Sequence, residues 1–154
     1  MEVYRVFEIM QITVAAFCGI AVGVERQHYG SSAGIRTYAL VCVGSCLFGI
    51  ISTHAMGGAY YESIADPTRI AAQIVTGVGF IGGGIIFKDS NRVRGITTAS
   101  TVWIMASIGL AIAFEMFLLP IAATILCIII LTSNRWPFFK KIGKKHKHYS
   151  EDEE

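Results

Sequence analysis

Residues 66–100 read DPTRIAAQIVTGVGFIGGGIIFKDSNRVRGITTAS, and the reading of this stretch decides the fold. Asp66 followed by Pro67 marks a helix start. The carboxylate can cap free N–H groups, and proline at the first helical position forfeits no hydrogen bond. Across residues 70–87 no side chain is charged, and Lys88 ends the run. About 18 residues at ~1.5 Å each make roughly 27 Å, close to the thickness of a bilayer core. The stretch predicts a membrane helix with a polar entrance, a glycine-studded body and a basic exit, and we expect the rest of the chain to be organised around it.

The whole composition agrees. The 154 residues amount to one domain. Of these, 53% are hydrophobic and 16% charged, with a mean hydropathy of +0.56, which a water-soluble domain has no room to bury. Four more apolar spans are expected, at residues 7–24, 37–53, 96–114 and 117–132. The fold class is therefore all-α: a polytopic membrane protein of about five transmembrane helices over residues 1–134, with a basic-then-acidic tail at 135–154. The first span follows Glu2, Arg5 and Glu8 rather than a basic leader and lacks a small-residue cleavage site, so it reads as a retained span. Eleven of the 13 Lys and Arg residues then fall on one side: Arg26, Arg36, Lys88, Arg92, Arg94, Arg135, Lys140, Lys141, Lys144, Lys145 and Lys147. Only Arg5 and Arg69 fall on the other. The positive-inside rule makes the basic side cytoplasmic, with the N-terminus outside and the C-terminus inside.

Small residues suggest where helices touch. Gly19 and Gly23 form a small-xxx-small pair in the first span, and Gly44, Ser45, Cys46 and Gly49 cluster in the second. Ala99, Ala106 and Ala113 recur every seven residues in the fourth span, beside Ser100 and Ser107, a seam suited to close packing. Glu115 marks a tight helical hairpin, and Pro120 lies in the first turn of the fifth span, where it does little harm. All four cysteines (Cys18, Cys42, Cys46 and Cys127) lie within apolar runs and read as small packing residues rather than a disulfide framework.

Gly77, Gly79 and Gly82 spell G-x-G-x-x-G, the dinucleotide fingerprint, but no strand or βαβ unit surrounds them and they lie at membrane depth. Close packing through Gly79 and Gly83 is the favoured reading. The other is a break at Gly82-Gly83-Gly84 that turns carbonyls toward a cavity. Arg69 and Gln73 lie one turn apart on one face, the arginine near the outer surface and a buried amide deeper, with Asp66 positioned to pair with Arg69. On the basic side Glu25, Arg26 and Arg36 flank one loop, and Lys88, Asp89, Arg92 and Arg94 make up another. A solvated positive face is the simpler account of these; an ion-paired cluster or anion-binding surface is the alternative. Thr97 and Thr98 are capping candidates for the fourth helix.

The middle of each span is free of Asp, Glu, Lys, Arg and His, which a pump or proton-coupled carrier normally needs. With Glu8 and Gln11 assigned to the first turns of the first span, the polar groups at depth are Gln73, threonines, serines and cysteines. No Walker motif, nucleophile constellation or metal-ligand spacing occurs. The chain reads as a non-enzyme with no cofactor, no metal ligand set and no nucleic-acid partner. Its expected partners are the lipid bilayer and either another membrane protein or a second copy of itself.

Several motifs together resemble the MgtC/SapB family of bacterial membrane proteins. They are ERQ at 25–27, AGIRT at 33–37 (with Gly34, Arg36 and Thr37), DPTRIAAQIVTGVGFIGGGIIF at 66–87, and VRGITTASTVW at 93–103 (with Arg94, Gly95, Thr97 and Thr98). With their spacing they cover nearly all of residues 7–115. The resemblance implies a hydrophobic domain of about five membrane helices in the inner membrane. It also implies a link to magnesium limitation and to survival inside host cells, through regulation of other membrane proteins such as the ATP synthase. The family is also described as transporting magnesium, and an oligomeric ion pathway lined by the third helix is the alternative function. Many members carry a soluble ACT-type domain after the last helix; the roughly 20 residues of tail here are too few for a core of their own. Some relatives have Asn and Cys where this chain has Thr97 and Ile104, which sets it apart from virulence-type members.

Overall fold

The computed structural model describes residues 2–54, 68–89 and 92–133. Over these the chain forms five helices and one short hairpin: α1 (Glu2–His28), α2 (Ile35–His54), α3 (Thr68–Ile85), β1 (Phe87–Asp89), β2 (Arg92–Arg94), α4 (Ile96–Ala113) and α5 (Leu118–Thr132). The five expected spans are all present. Helices α1, α2 and α4 are each long and apolar enough to cross a bilayer, while α3 and α5 are shorter apolar helices. The protein is an all-α, multi-pass membrane protein.

The helices alternate in direction. A hydrogen bond between the Ser31 and Thr98 hydroxyls, 3.0 Å, joins the α1–α2 loop to the start of α4 at one end of the bundle. At the other end the rings of Phe7 and Phe117 meet edge to face at 5.9 Å, tying α1 to the start of α5. Glu25, Arg26, Arg36, Lys88, Arg92 and Arg94 therefore share an end.

Helix α4, not α3, is the centre. It packs against each of the other four helices, whereas α3 packs chiefly against α2 and α4. Ten of its residues are buried, and beyond its first turn only Ser100, Trp103 and Ser107 are exposed. The expected alanine seam holds: Ala99, Ala106 and Ala113 are all buried. By contrast α3 buries only Ala71, Val78 and Gly82, a single line down one side.

Glycine sets the tightest crossings. A Cβ on Gly19 would lie 2.6 Å from Cα of Ala39, and one on Gly23 would lie 2.5 Å from Cα of Ile35, so α1 and α2 meet backbone to backbone. Gly109 of α4 likewise faces the carbonyl oxygen of Cys42, and Gly49 of α2 faces Ala113. Cys18, Cys42, Cys46 and Cys127 are buried free thiols of the hydrophobic core.

The end of α4 is fully accounted for. Glu115 takes a left-handed conformation (φ 63°), and the N–H groups of Glu115 and Met116 return to the carbonyls of Ile112 and Ala111. The Gln11 amide then donates to the carbonyls of Ile112 (2.8 Å) and Ala113 (3.2 Å). Gln11 was expected in the first turn or so of its span. Helix α1 starts at Glu2, so Gln11 lies well inside it and is completely buried.

Candidate functional site

The predicted functional residues separate into two groups. The first lies at the end shared by the α1–α2 loop and the hairpin. Glu25 and Arg26 turn their side chains toward each other and form a two-pronged ion pair at 2.5 and 3.0 Å, with both side chains largely buried. Gly34 packs against Gln27, whose amide oxygen accepts from the N–H of Ile35 at 3.4 Å. Arg36 is exposed and Thr37 half-buried on the first turn of α2. Thr98 is buried and bonded to Ser31, so it joins two segments rather than capping its helix. Thr97 is exposed, and its carbonyl accepts from the Thr101 hydroxyl at 2.7 Å. The cap position of α4 is Gly95, with no side-chain cap hydrogen bond. Gly95 has φ 90° and faces the carbonyl of Ile85; a side chain there would meet both strain and backbone.

The loop expected at 88–95 is an ordered antiparallel hairpin, pairing Phe87 with Arg94, Lys88 with Val93 and Asp89 with Arg92. Arg94 reaches Asp89 at 3.8 Å, both exposed. Among the described residues no ion pair joins this hairpin to Glu25 and Arg26; the α1–α2 loop meets the start of α4 through Ser31 and Thr98 instead.

The second group lies on α3. Asp66 and Pro67 fall outside the described residues. Arg69 is exposed on the first turn. Gln73, expected to be buried, is exposed and lines a groove of about 520 Å³ between α2 and α3. Leu40, Gly44 and Phe48 form one wall; Gln73, Gly77 and Ile81 belong to the other. The helix runs unbroken through Gly82-Gly83-Gly84 and ends at Ile85, so the expected span 70–87 is shortened by its last two residues. The Ile86 N–H donates back to Gly83, and Phe87 already belongs to β1. A Cβ on Gly82 would lie 3.7 Å from that of Ala99, an ordinary contact with α4. At Gly77, Gly79, Gly83 and Gly84 it would meet nothing within 4 Å. The four fall in two pairs on different sides of α3, Gly77 with Gly84 and Gly79 with Gly83, and the described residues of the chain cover neither.

Sequence reasoning passed over Gln11, Ser31 and Tyr38. A lone amide at the fifth residue of the apolar span 7–24 was the available signal for Gln11. Tyr38 is fully buried, with its hydroxyl out of hydrogen-bonding geometry, and nothing in its local sequence sets it apart. Among the described residues no cluster of His, Cys, Asp and Glu is placed to hold a metal ion.

Comparison with known proteins gives the relationships of the chain. YhiD of Escherichia coli (strain K12), whose name proposes it as a magnesium transporter, is 39% identical over 142 residues, 91% of this chain and 66% of its own length. Protein MgtC of Salmonella typhimurium (strain LT2) is 41% identical over 126 residues, 82% of this chain and 50% of its own. An uncharacterized Synechocystis protein, slr0014, is 42% identical over 101 residues, 66% of this chain and 41% of its own. The chain thus spans from under half to just under two thirds of the length of these relatives. No solved structure matches it. The sequence model of the MgtC family matches residues 12–137, and the chain belongs to the MgtC family.

Proposed function

We propose that the chain is a non-enzymatic bacterial inner-membrane protein of adaptation to low magnesium, which acts by docking against another membrane protein and regulating it. The ATP synthase is the kind of complex such a regulator would bind. The N-terminus lies outside, the basic end of the bundle faces the cytoplasm, and residues 135–154 form a cytoplasmic tail. One observation carries this reading: the open glycines of α3. Where glycines of this chain meet a partner helix, as Gly19, Gly23 and Gly109 do, backbone lies within about 3 Å of the missing Cβ. Gly77 and Gly84, seven residues apart on one side of α3, offer the same close approach with nothing of the described chain in place, and Gly79 and Gly83 do so on another side. A helix of a membrane protein partner is the fitting occupant.

The second reading is an oligomeric magnesium or proton pathway lined by α3. It is favoured by the Gln73 amide, a polar group on the wall of the apolar groove, and by the name given to YhiD. Purified protein in liposomes separates the two. The regulator reading expects no magnesium or proton flux above that of empty vesicles. In intact membranes it expects crosslinks from photoreactive residues at 77 and 84 to a partner complex. Flux that disappears on Gln73→Ala would replace it with the pathway.

A further inference from the structure

We propose that the hairpin between α3 and α4 is a binding surface for the headgroups of anionic phospholipids. The hairpin is short and firmly based. It leaves the membrane helix at Ile85 and re-enters at Ile96, with Gly95 closing its base against the Ile85 carbonyl. Three-residue strands at ~3.3 Å per residue reach roughly 10 Å, which keeps their side chains at the level of the headgroups and within a Debye length of the lipid surface.

Its side chains are graded along that direction. Ile86, Phe87 and Ile96 are exposed at the base, where the helices end. Beyond them Lys88 stands opposite the exposed Val93 and Asp89 opposite Arg92, while Arg94 sits at the base opposite Phe87; all four charged residues are exposed. Arg94 has Asp89 at 3.8 Å, whereas Lys88 and Arg92 make no ion pair within the described chain. The register puts them on opposite faces, since Lys88 pairs with Val93 and Arg92 with Asp89. An apolar base with two unspent cations above it complements a lipid whose acyl chains lie below a phosphate. The ladder fixes the spacing of those cations, which a loose basic loop would not. The surface is distinct from the groove of α3 and does not depend on which side of the membrane it faces.

Each unpaired cation near an anionic surface favours an anionic over a neutral lipid by about fivefold. The test uses the full chain in vesicles of mixed phosphatidylglycerol and phosphatidylcholine. Phe87→Trp serves as reporter, and Trp103 and Trp136 are replaced by Phe. Brominated phosphatidylglycerol is expected to quench the reporter as if it bound several-fold more tightly than brominated phosphatidylcholine at the same mole fraction, and raising the salt should shrink the ratio. Lys88→Gln with Arg92→Gln should bring the ratio near one. The exchange Lys88→Arg with Arg92→Lys should keep it, which separates lost charge from a damaged hairpin. Every variant carries the same basic tail, so its contribution cancels. A ratio near one in the parent, a ratio insensitive to salt, or one unchanged by the two glutamines overturns the proposal.

Discussion

The same substitution, glycine to alanine, should have opposite effects at Gly109 and Gly77. At Gly109 the new methyl would be driven into the carbonyl oxygen of Cys42, with the carbonyl carbon at 2.9 Å and the N atom of Cys46 at 3.1 Å. These are backbone atoms of α2 and cannot rotate aside, so α2 and α4 must separate. Overpacking of this kind costs about 1–3 kcal/mol, and a clash with backbone belongs at the upper end. At Gly77 nothing lies within 4 Å, and alanine gains about 0.5–1 kcal/mol from its better helix propensity. Offsetting the Gly109 clash by that same gain leaves a loss of about 2 kcal/mol, so the variants should differ by about 3 kcal/mol. That is roughly 150-fold in the folding equilibrium. Reversible unfolding of the purified chain in mixed micelles, followed by helical circular dichroism, measures the difference. If Gly109→Ala is as stable as the parent, the α2–α4 crossing is not set by backbone contact. If Gly77→Ala is destabilised in the monomer, the face of α3 is covered after all. Under the docking hypothesis, Gly77→Leu should fold and yet lose its crosslinks to the partner.

Three further outcomes follow from the packing. Gln11→Leu strips the Ala113 carbonyl of its donor and should lower stability by about 1–3 kcal/mol in the same unfolding assay. Glu115→Gly relieves a left-handed backbone that disfavours a side chain and should raise stability by about 1 kcal/mol. Thr98→Val and Ser31→Ala should each cost about 1 kcal/mol and should couple by a similar amount in a double-mutant cycle, because they share one hydrogen bond. Strict additivity would mean that the bond contributes nothing.

The spans were legible because lipid imposes a length and excludes charge, and both can be read from single residues. The contact roles of Gly19, Gly23 and the Ala99–Ala106–Ala113 seam were legible too, since small residues at helical spacing imply close approach whatever the partner. The centre was not. Residues 66–100 hold the densest glycine run, yet glycine signals the capacity for contact without saying whether a helix of the same chain supplies it. Helix α4 took the centre through packing on nearly every side, a property no local window reveals. The hairpin was hidden by its charges, although the alternation Arg92-Val93-Arg94 ahead of Gly95 was a strand signal. Gln11 was misplaced because helix boundaries follow polar residues poorly where the first turns project beyond the apolar layer.

The closed end of α4 bears on what this bundle could carry. The C-terminal end of a helix is its electronegative pole, and in transporters such ends, with their bare carbonyls, coordinate cations. Here the carbonyls of Leu110, Ala111, Ile112 and Ala113 each accept from Phe114, Met116, Glu115 or Gln11. A dehydrated cation arriving at that pole would have to share each oxygen with a donor already bonded to it, and the Ile112 carbonyl already accepts two. The last turn of the central helix is therefore wired as a strut, and an ion reaching it would find none of these four carbonyls bare.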